Sequence, residues 1–309
     1  MSVLLLLGAL GLLALPSIAA PLGQRLPPAE WARIAGAAAW LGLVGLRVGL
    51  FFTAAPTVLR SVGVHDVADA CHRLMGPPAA SGPALGWLAA AAFVAVTVNV
   101  ARVQRAARRA QRAMRVEPWL GAHEELDGAA LVVLPTSQPL AYAVGGRSPQ
   151  VVLSQGIVDV LSPAELAAVV RHELAHLQHR HDRYLVLGAG VVAAGFGGRA
   201  AQRVRSTLEL AVERWADESA ADAGGRGAVR SALSKCVALP DSLVPAFTTR
   251  CTVEERLDAL RDSCPQGRWE VRLAVLMPTL ILSSFVVGFV AWAAAGHHGL
   301  LGLVGFCPL

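Results

Sequence analysis

Charge is scarce in this sequence. Of 309 residues, 27 Lys/Arg and 22 Asp/Glu amount to 16%, while hydrophobic residues reach 54% and mean hydropathy is +0.51. Soluble globular domains are about a quarter charged, so the composition argues against that class and asks for membrane spans. Cysteine is sparse too: the five have no C-x-x-C spacing, which excludes a cysteine-based metal pattern. There is no internal repeat, phosphate-binding glycine loop or nucleophilic-serine elbow. Met1-Ser2-Val3 carries no cation, so the apolar run 3–20 lacks the basic start of a cleaved signal.

What is present is organised by apolar runs and by where arginines flank them. Run 3–20 reads as a span with its N-terminus outside, because the first nearby cations, Arg25 and Arg33, follow it. Run 34–59 is a second span interrupted by Arg47, either a functional intramembrane charge or one that snorkels. Residues 61–82 read as a loop with one short helix. Run 85–103 is a third span leading into Arg102, Arg105, Arg108, Arg109, Arg112 and Arg115. These fall at intervals of three and four, a basic stripe on a helix leaving the membrane; beside a span it reads as a cytoplasmic anchor on anionic lipid, so no direct nucleic-acid partner is expected. Run 273–295 is uncharged and is the clearest span, with Arg268 and Arg272 on its near side.

The expected fold class is therefore an α-helical membrane protein of about four transmembrane helices with an inserted α+β domain. Residues 1–115 form the N-terminal membrane part, 116–268 a cytoplasmic domain, and 269–309 the fourth helix and a short tail outside. Cys236, Cys251 and Cys264 would then be cytoplasmic thiols, and a bridge between Cys71 and Cys307 outside is left open.

Within 116–268, segments 130–134, 140–144 and 150–153 read as short strands bounded by Pro, Gly and Ser. Ser162-Pro163-Ala164-Glu165 then opens a helix as a capping box with Pro at its first position. That helix carries His172-Glu173-Leu174-Ala175-His176. Residues four apart share a helix face, so both imidazoles can reach one metal ion, with Glu173 beside it as general base. A peptidase zinc site takes three protein ligands and leaves the fourth position to water. Ser206-Thr207-Leu208-Glu209 reads as a second capping box, and the helix it opens bears Glu213 and Asp217 on one face before Gly224-Gly225. Glu213 is the candidate third ligand, and Asp217 the candidate acceptor for the free ring nitrogen of a ligating histidine. His179 is a candidate alternate ligand or substrate contact; Tyr142, Tyr184, His179 and Arg214 are candidate oxyanion donors. Residues 184–198 are too short to cross the bilayer comfortably, and a single crossing would put Glu213 on the other side from His172. They are expected to lie at the membrane surface or form a buried hairpin.

The H-E-L-A-H motif followed by Glu213-x-x-x-Asp217 resembles the membrane zinc peptidases of the gluzincin kind. Leu140-Ala141-Tyr142-Ala143-Val144-Gly145, Val151-Val152-Leu153-Ser154, a motif helix ending in His181-Asp182, and Thr252-Val253-Glu254-Glu255-Arg256-Leu257 are similar in order to the BlaR/MecR-type antirepressor peptidases. HtpX and the CAAX prenyl endopeptidase form the neighbouring branch. The chain stops soon after its last apolar segment, so the penicillin-binding sensor of the BlaR/MecR type is not expected. The resemblance implies one Zn²⁺ ion, a protein or peptide substrate near the bilayer and a repressor-like target. The alternative is HtpX-like quality control of membrane proteins, and the third reading is a membrane scaffold with structural zinc. A homo-oligomer is left open.

Overall fold

The computed structural model describes residues 2–75, 82–117, 122–195, 197–238, 250–261 and 268–303. The N-terminal part is helical: α1 (Ser2–Ile18), α2 (Ala20–Gly23), α3 (Pro28–Ser61), α4 (His65–Met75) and α5 (Pro83–Ala113). Proline stands in the first turn of both α3 and α5, where the missing N–H costs nothing. Glu30 in the first turn of α3 and Arg60 in its last complement the helix dipole. Helices α1 and α3 pack along Gly42, Gly45 and Gly49 and approach at backbone distance at Gly42. A Cβ on Gly42 would fall 2.8 Å from the Leu13 nitrogen and 2.9 Å from the Ala9 carbonyl oxygen. Small residues permit such contact where lipid supplies no hydrophobic drive.

Among the described residues, three helices are long and apolar enough to cross a membrane: Pro28–Ser61, Pro83–Ala113 and Trp269–Gly288. The expected first span differs. It folds as the 17-residue α1, shorter than the other three, so four spans are not established. Arg47 sits half-buried on α3. Cys307 and part of the tail lie outside the described residues, as do Cys264 and residues 239–249.

A four-stranded sheet follows: β1 (Ala122–Leu126), β2 (Ala129–Leu134), β3 (Ala141–Val144) and β4 (Gln150–Ser154), in the order β1-β2-β4-β3. β2 and β4 run parallel; the other pairs are antiparallel, which leaves β3 on an edge. β1 was not expected, because Ala-His-Glu-Glu-Leu lacks the apolar alternation of a half-buried strand. Its hairpin is set by Asp127 and Gly128, both at positive φ (50° and 78°), the geometry that matches strand twist in a two-residue turn. One sheet face packs Val151 and Leu153 on Ile157, Leu161, Val170 and Leu174; the other packs Val132 and Val152 on Val116.

The remaining elements are α6 (Gln155–Val160), α7 (Pro163–Gln178), α8 (Asp182–Ala194), α9 (Arg199–Gly224), α10 (Arg226–Ala238), α11 (Arg250–Ala259) and α12 (Trp269–Leu303). Helix α7 begins at the capping box: the Ser162 hydroxyl accepts from the Glu165 N–H, and the Glu165 carboxylate accepts from the Ser162 N–H at 2.7 Å. The second expected box is corrected. α9 starts at Arg199, and Ser206 lies inside it, its hydroxyl donating to the Gln202 carbonyl at 3.1 Å. α9 does end at Gly225, at φ 87°, a left-handed stop that glycine adopts without strain.

Within segment 184–198, the residues up to Ala194 belong to α8, which makes a helical hairpin with α9. α8 packs back along α9, with Gly188 against Arg205, and lies on Leu43 of α3 and Val100 of α5 through Gly190. Trp31, Ile34 and Ala35 of α3, Val191 of α8, Leu208, Val212 and Trp215 of α9, and Val275 of α12 form one buried cluster. The hairpin and the long apolar helices therefore share a core, and α9, on which α7 packs, is positioned directly against the bundle.

Candidate metal centre

Helix α7 offers His172 and His176 one turn apart, and α9, packed across it, offers Glu213. The two Nε2 atoms are 3.1 Å apart; His172 Nε2 lies 3.5 Å from Glu213 Oε2 and His176 Nε2 3.5 Å from Glu213 Oε1. One donor atom from each residue falls within 4.8 Å of the others. Two imidazoles and one carboxylate, all pointing at a common volume, form the donor set of an open zinc site, so the residues present fit the metal.

The carboxylate and one imidazole are held from behind. His172 Nδ1–H donates to Asp217 Oδ1 at 3.0 Å, leaving Nε2 for a cation. Arg256 of α11 donates through Nη1 to Glu213 Oε2 at 2.8 Å and reaches both oxygens of Asp217. All three are buried (Glu213 6%, Asp217 2%, Arg256 4% exposed). Arg256 was not singled out as a site residue by the sequence; only its place in Thr252–Leu257 marked it. A second neighbour not assigned from sequence is His181, with Nδ1 3.0 Å from His176 Nδ1.

The electrostatics follow from burial and this pairing. Burial pushes the Glu173 carboxyl up to about 7, the range suited to a general base. Burial also works against ionising Glu213, but Arg256 and the two imidazoles outweigh it and hold the carboxyl down at about 2. Burial lowers His176 to about 4. For His172 burial opposes the charge, and the hydrogen bonds to Asp217 and Glu213 reverse the direction.

Glu173 and the three donors open on a cavity of about 1080 Å³ that also reaches Tyr142 and Val144 of the β3 edge, Leu185 of α8 and Cys236 of α10. The other sequence candidates are placed as follows. Tyr142 lines the cavity, but its hydroxyl donates to the Met114 carbonyl at 3.3 Å. His179 lies outside the trio of donors and stacks on Trp215 (centroids 4.4 Å, 20°). Arg214 points elsewhere, donating through both Nη atoms to the Gln24 carbonyl at 3.3 Å. Tyr184 packs edge-on to Trp215 at 6.4 Å. His179 thus packs on α9 through Trp215, and Arg214 ties α9 to the Gln24 carbonyl that precedes α3.

Residues 101–263, more than half of the chain, match peptidase family M48. Similar proteins include a protease HtpX homolog of Methanocaldococcus jannaschii (36% identical, 20% of this chain and 25% of that protein). Others are a plastoglobule-localized metallopeptidase 48, chloroplastic, of Arabidopsis thaliana (36%, 29% and 27%) and a protease HtpX homolog of Salinibacter ruber (47%, 16% and 18%). The chain thus spans about a quarter of the length of these relatives or less. No solved structure matches. Three of its helices are apolar enough to fit a membrane protein, and with a match that runs over the whole of the sheet, α7 and α9 the chain belongs to peptidase family M48.

Proposed function

We propose that the protein is a membrane-anchored zinc endopeptidase that cuts membrane or membrane-proximal proteins, in the manner of HtpX-like quality control. The carrying observation is the convergence of His172, His176 and Glu213 beside a half-buried Glu173 on one cavity. His172, His176 and Glu213 would hold one zinc ion, which would supply Lewis acidity toward a peptide carbonyl and lower the pKa of the attacking water to about 7.

The chain's own residues do the rest. Glu173 takes the proton of the attacking water and returns it to the leaving amine. Asp217 fixes the His172 tautomer, and Arg256 keeps Glu213 ionised and in place. The edge strand β3 borders the cavity and offers unpaired backbone groups to an extended substrate. The basic stripe from Arg102 to Arg112 on α5 sits against anionic lipid and keeps the catalytic part cytoplasmic, while Arg115 donates to the Gly145 and Ser148 carbonyls. Because α8, α9 and α3 share one core, the cavity is held close to the bilayer.

HtpX homologs among the similar proteins support this reading over cleavage of a repressor-type regulator, to which those similar proteins lend no support. The test is Glu173→Gln in full-length protein, used as a trap. A broad set of captured membrane proteins supports quality control; one dominant DNA-binding protein overturns it in favour of regulator cleavage. Full biological activity in Glu173→Ala would end the enzyme reading altogether.

A further inference from the structure

One buried imidazole has no task in that scheme. His181 is 0% exposed, and the way α7 ends puts it there. The His181 N–H donates to the His176 carbonyl at 3.0 Å and the Arg180 N–H to the Leu177 carbonyl at 3.2 Å, with Arg180 in the left-handed region at φ 54°. This is a Schellman turn, which ordinarily folds an apolar residue after the helix onto one in its last turn. Here it folds imidazole onto imidazole, with His181 Nδ1 3.0 Å from His176 Nδ1. Trp215 (4.9 Å) and Tyr184 (6.4 Å) pack around the ring.

A proton count fixes what this contact must be. His176 can offer its Nε2 lone pair to a cation only when its proton is on Nδ1. That proton is then donated to His181 Nδ1, which must be a bare acceptor, so His181 is neutral and carries its own proton on Nε2. In the opposite arrangement His181 donates, the His176 proton moves to Nε2, and the lone pair facing His172 and Glu213 is lost. The metal-competent state of His176 and the acceptor state of His181 are one state. His181 Nε2 is buried with no protein partner among the described residues. A buried donor left unsatisfied costs stability, a burden that an apolar residue filling the same space would avoid.

We propose that His181 is a positioning residue for the metal centre: a neutral histidine that accepts the His176 Nδ1 proton, fixing that ligand's tautomer and ring orientation where a carboxylate or carbonyl usually would. The proposal rests on the zinc reading of His172, His176 and Glu213. It makes the two histidine ligands unlike, with an ionised carboxylate behind His172 and a neutral ring behind His176.

The test is zinc affinity of full-length protein in detergent, stripped of metal and titrated against a chromogenic chelator. His181→Leu removes the acceptor and should weaken zinc binding about 10–100-fold, the range for lost ligand-supporting partners. The metal-free melting temperature should not fall. His181→Asn, whose carboxamide oxygen can accept in nearly the same place, should stay close to wild type. His181→Leu binding zinc as tightly as wild type, or His181→Asn losing as much as His181→Leu, overturns the proposal. If His181→Leu does not fold, His181→Phe carries the same comparison with His181→Asn, read the same way. Wild-type protein that takes up no zinc, or takes it up equally well as His172→Ala, overturns the zinc reading and this inference with it.

Discussion

Arg256 and Asp217 form a buried two-pronged pair, with Nη2 2.7 Å from Oδ1 and Nε 2.8 Å from Oδ2, and the third guanidinium nitrogen reaches Glu213. One cation thus serves two carboxylates on α9. Removing it leaves Asp217 and Glu213 buried with only the imidazoles as partners; a broken buried pair costs about 3–5 kcal/mol. Arg256→Ala should therefore lower the melting temperature and weaken zinc binding together. Arg256→Lys restores charge without the planar fork and should recover only part of each. Calorimetry and zinc titration on the same preparations check it; an unchanged melting temperature for Arg256→Ala would refute the pairing's importance.

Metal removal should be reversible and stabilising on return. Chelation should abolish peptide hydrolysis, and added zinc should restore it. Free zinc at about 100 times its dissociation constant should stabilise the fold by about 2.7 kcal/mol. The same addition to a Glu213→Ala variant should shift the melting curve much less.

The α1–α3 contact gives a prediction about the membrane part. A Cβ on Gly42 would meet the Leu13 Cγ at 2.7 Å as well as backbone atoms of α1, so Gly42→Ala should destabilise by about 1–3 kcal/mol through overpacking. A methyl added at Gly227 on α10 would meet nothing within 4 Å. Gly227→Ala should be neutral or gain up to about 1 kcal/mol in helix propensity. Thermal melts in one detergent compare the two directly.

Glu165 gives a pH dependence. Lys235, Ser231 and the Ser162 N–H hold its carboxyl down at about 2. A depressed carboxylate contributes stability that is present above its unfolded value, about 4.3, and lost as pH falls toward the folded value. The melting difference between wild type and Glu165→Gln should be largest at neutral pH and should shrink from about pH 4 downward. A constant difference between pH 7 and pH 3 would show that Glu165 does not stay ionised as described.

Much of the architecture follows from local rules that a sequence carries on its face. The four-residue spacing of His172 and His176, the Ser162 cap of α7, the glycine stop of α9, strands β2 to β4 and the apolar helices are set by backbone periodicity, capping and hydropathy over short windows. Other features depend on partners far along the chain. α9 extends upstream to Arg199 because Val204 and Leu208 are buried in the cluster shared with α3, and that burial overrides the capping signal at Ser206. Strand β1 exists because its neighbour β2 accepts it, not because of its own pattern. Arg256 meets Glu213 and Asp217, and His181 meets His176, only because α11 and the left-handed turn at Arg180 bring them there. Periodicity determines which face a side chain takes; only the packed chain decides which distant group that face meets.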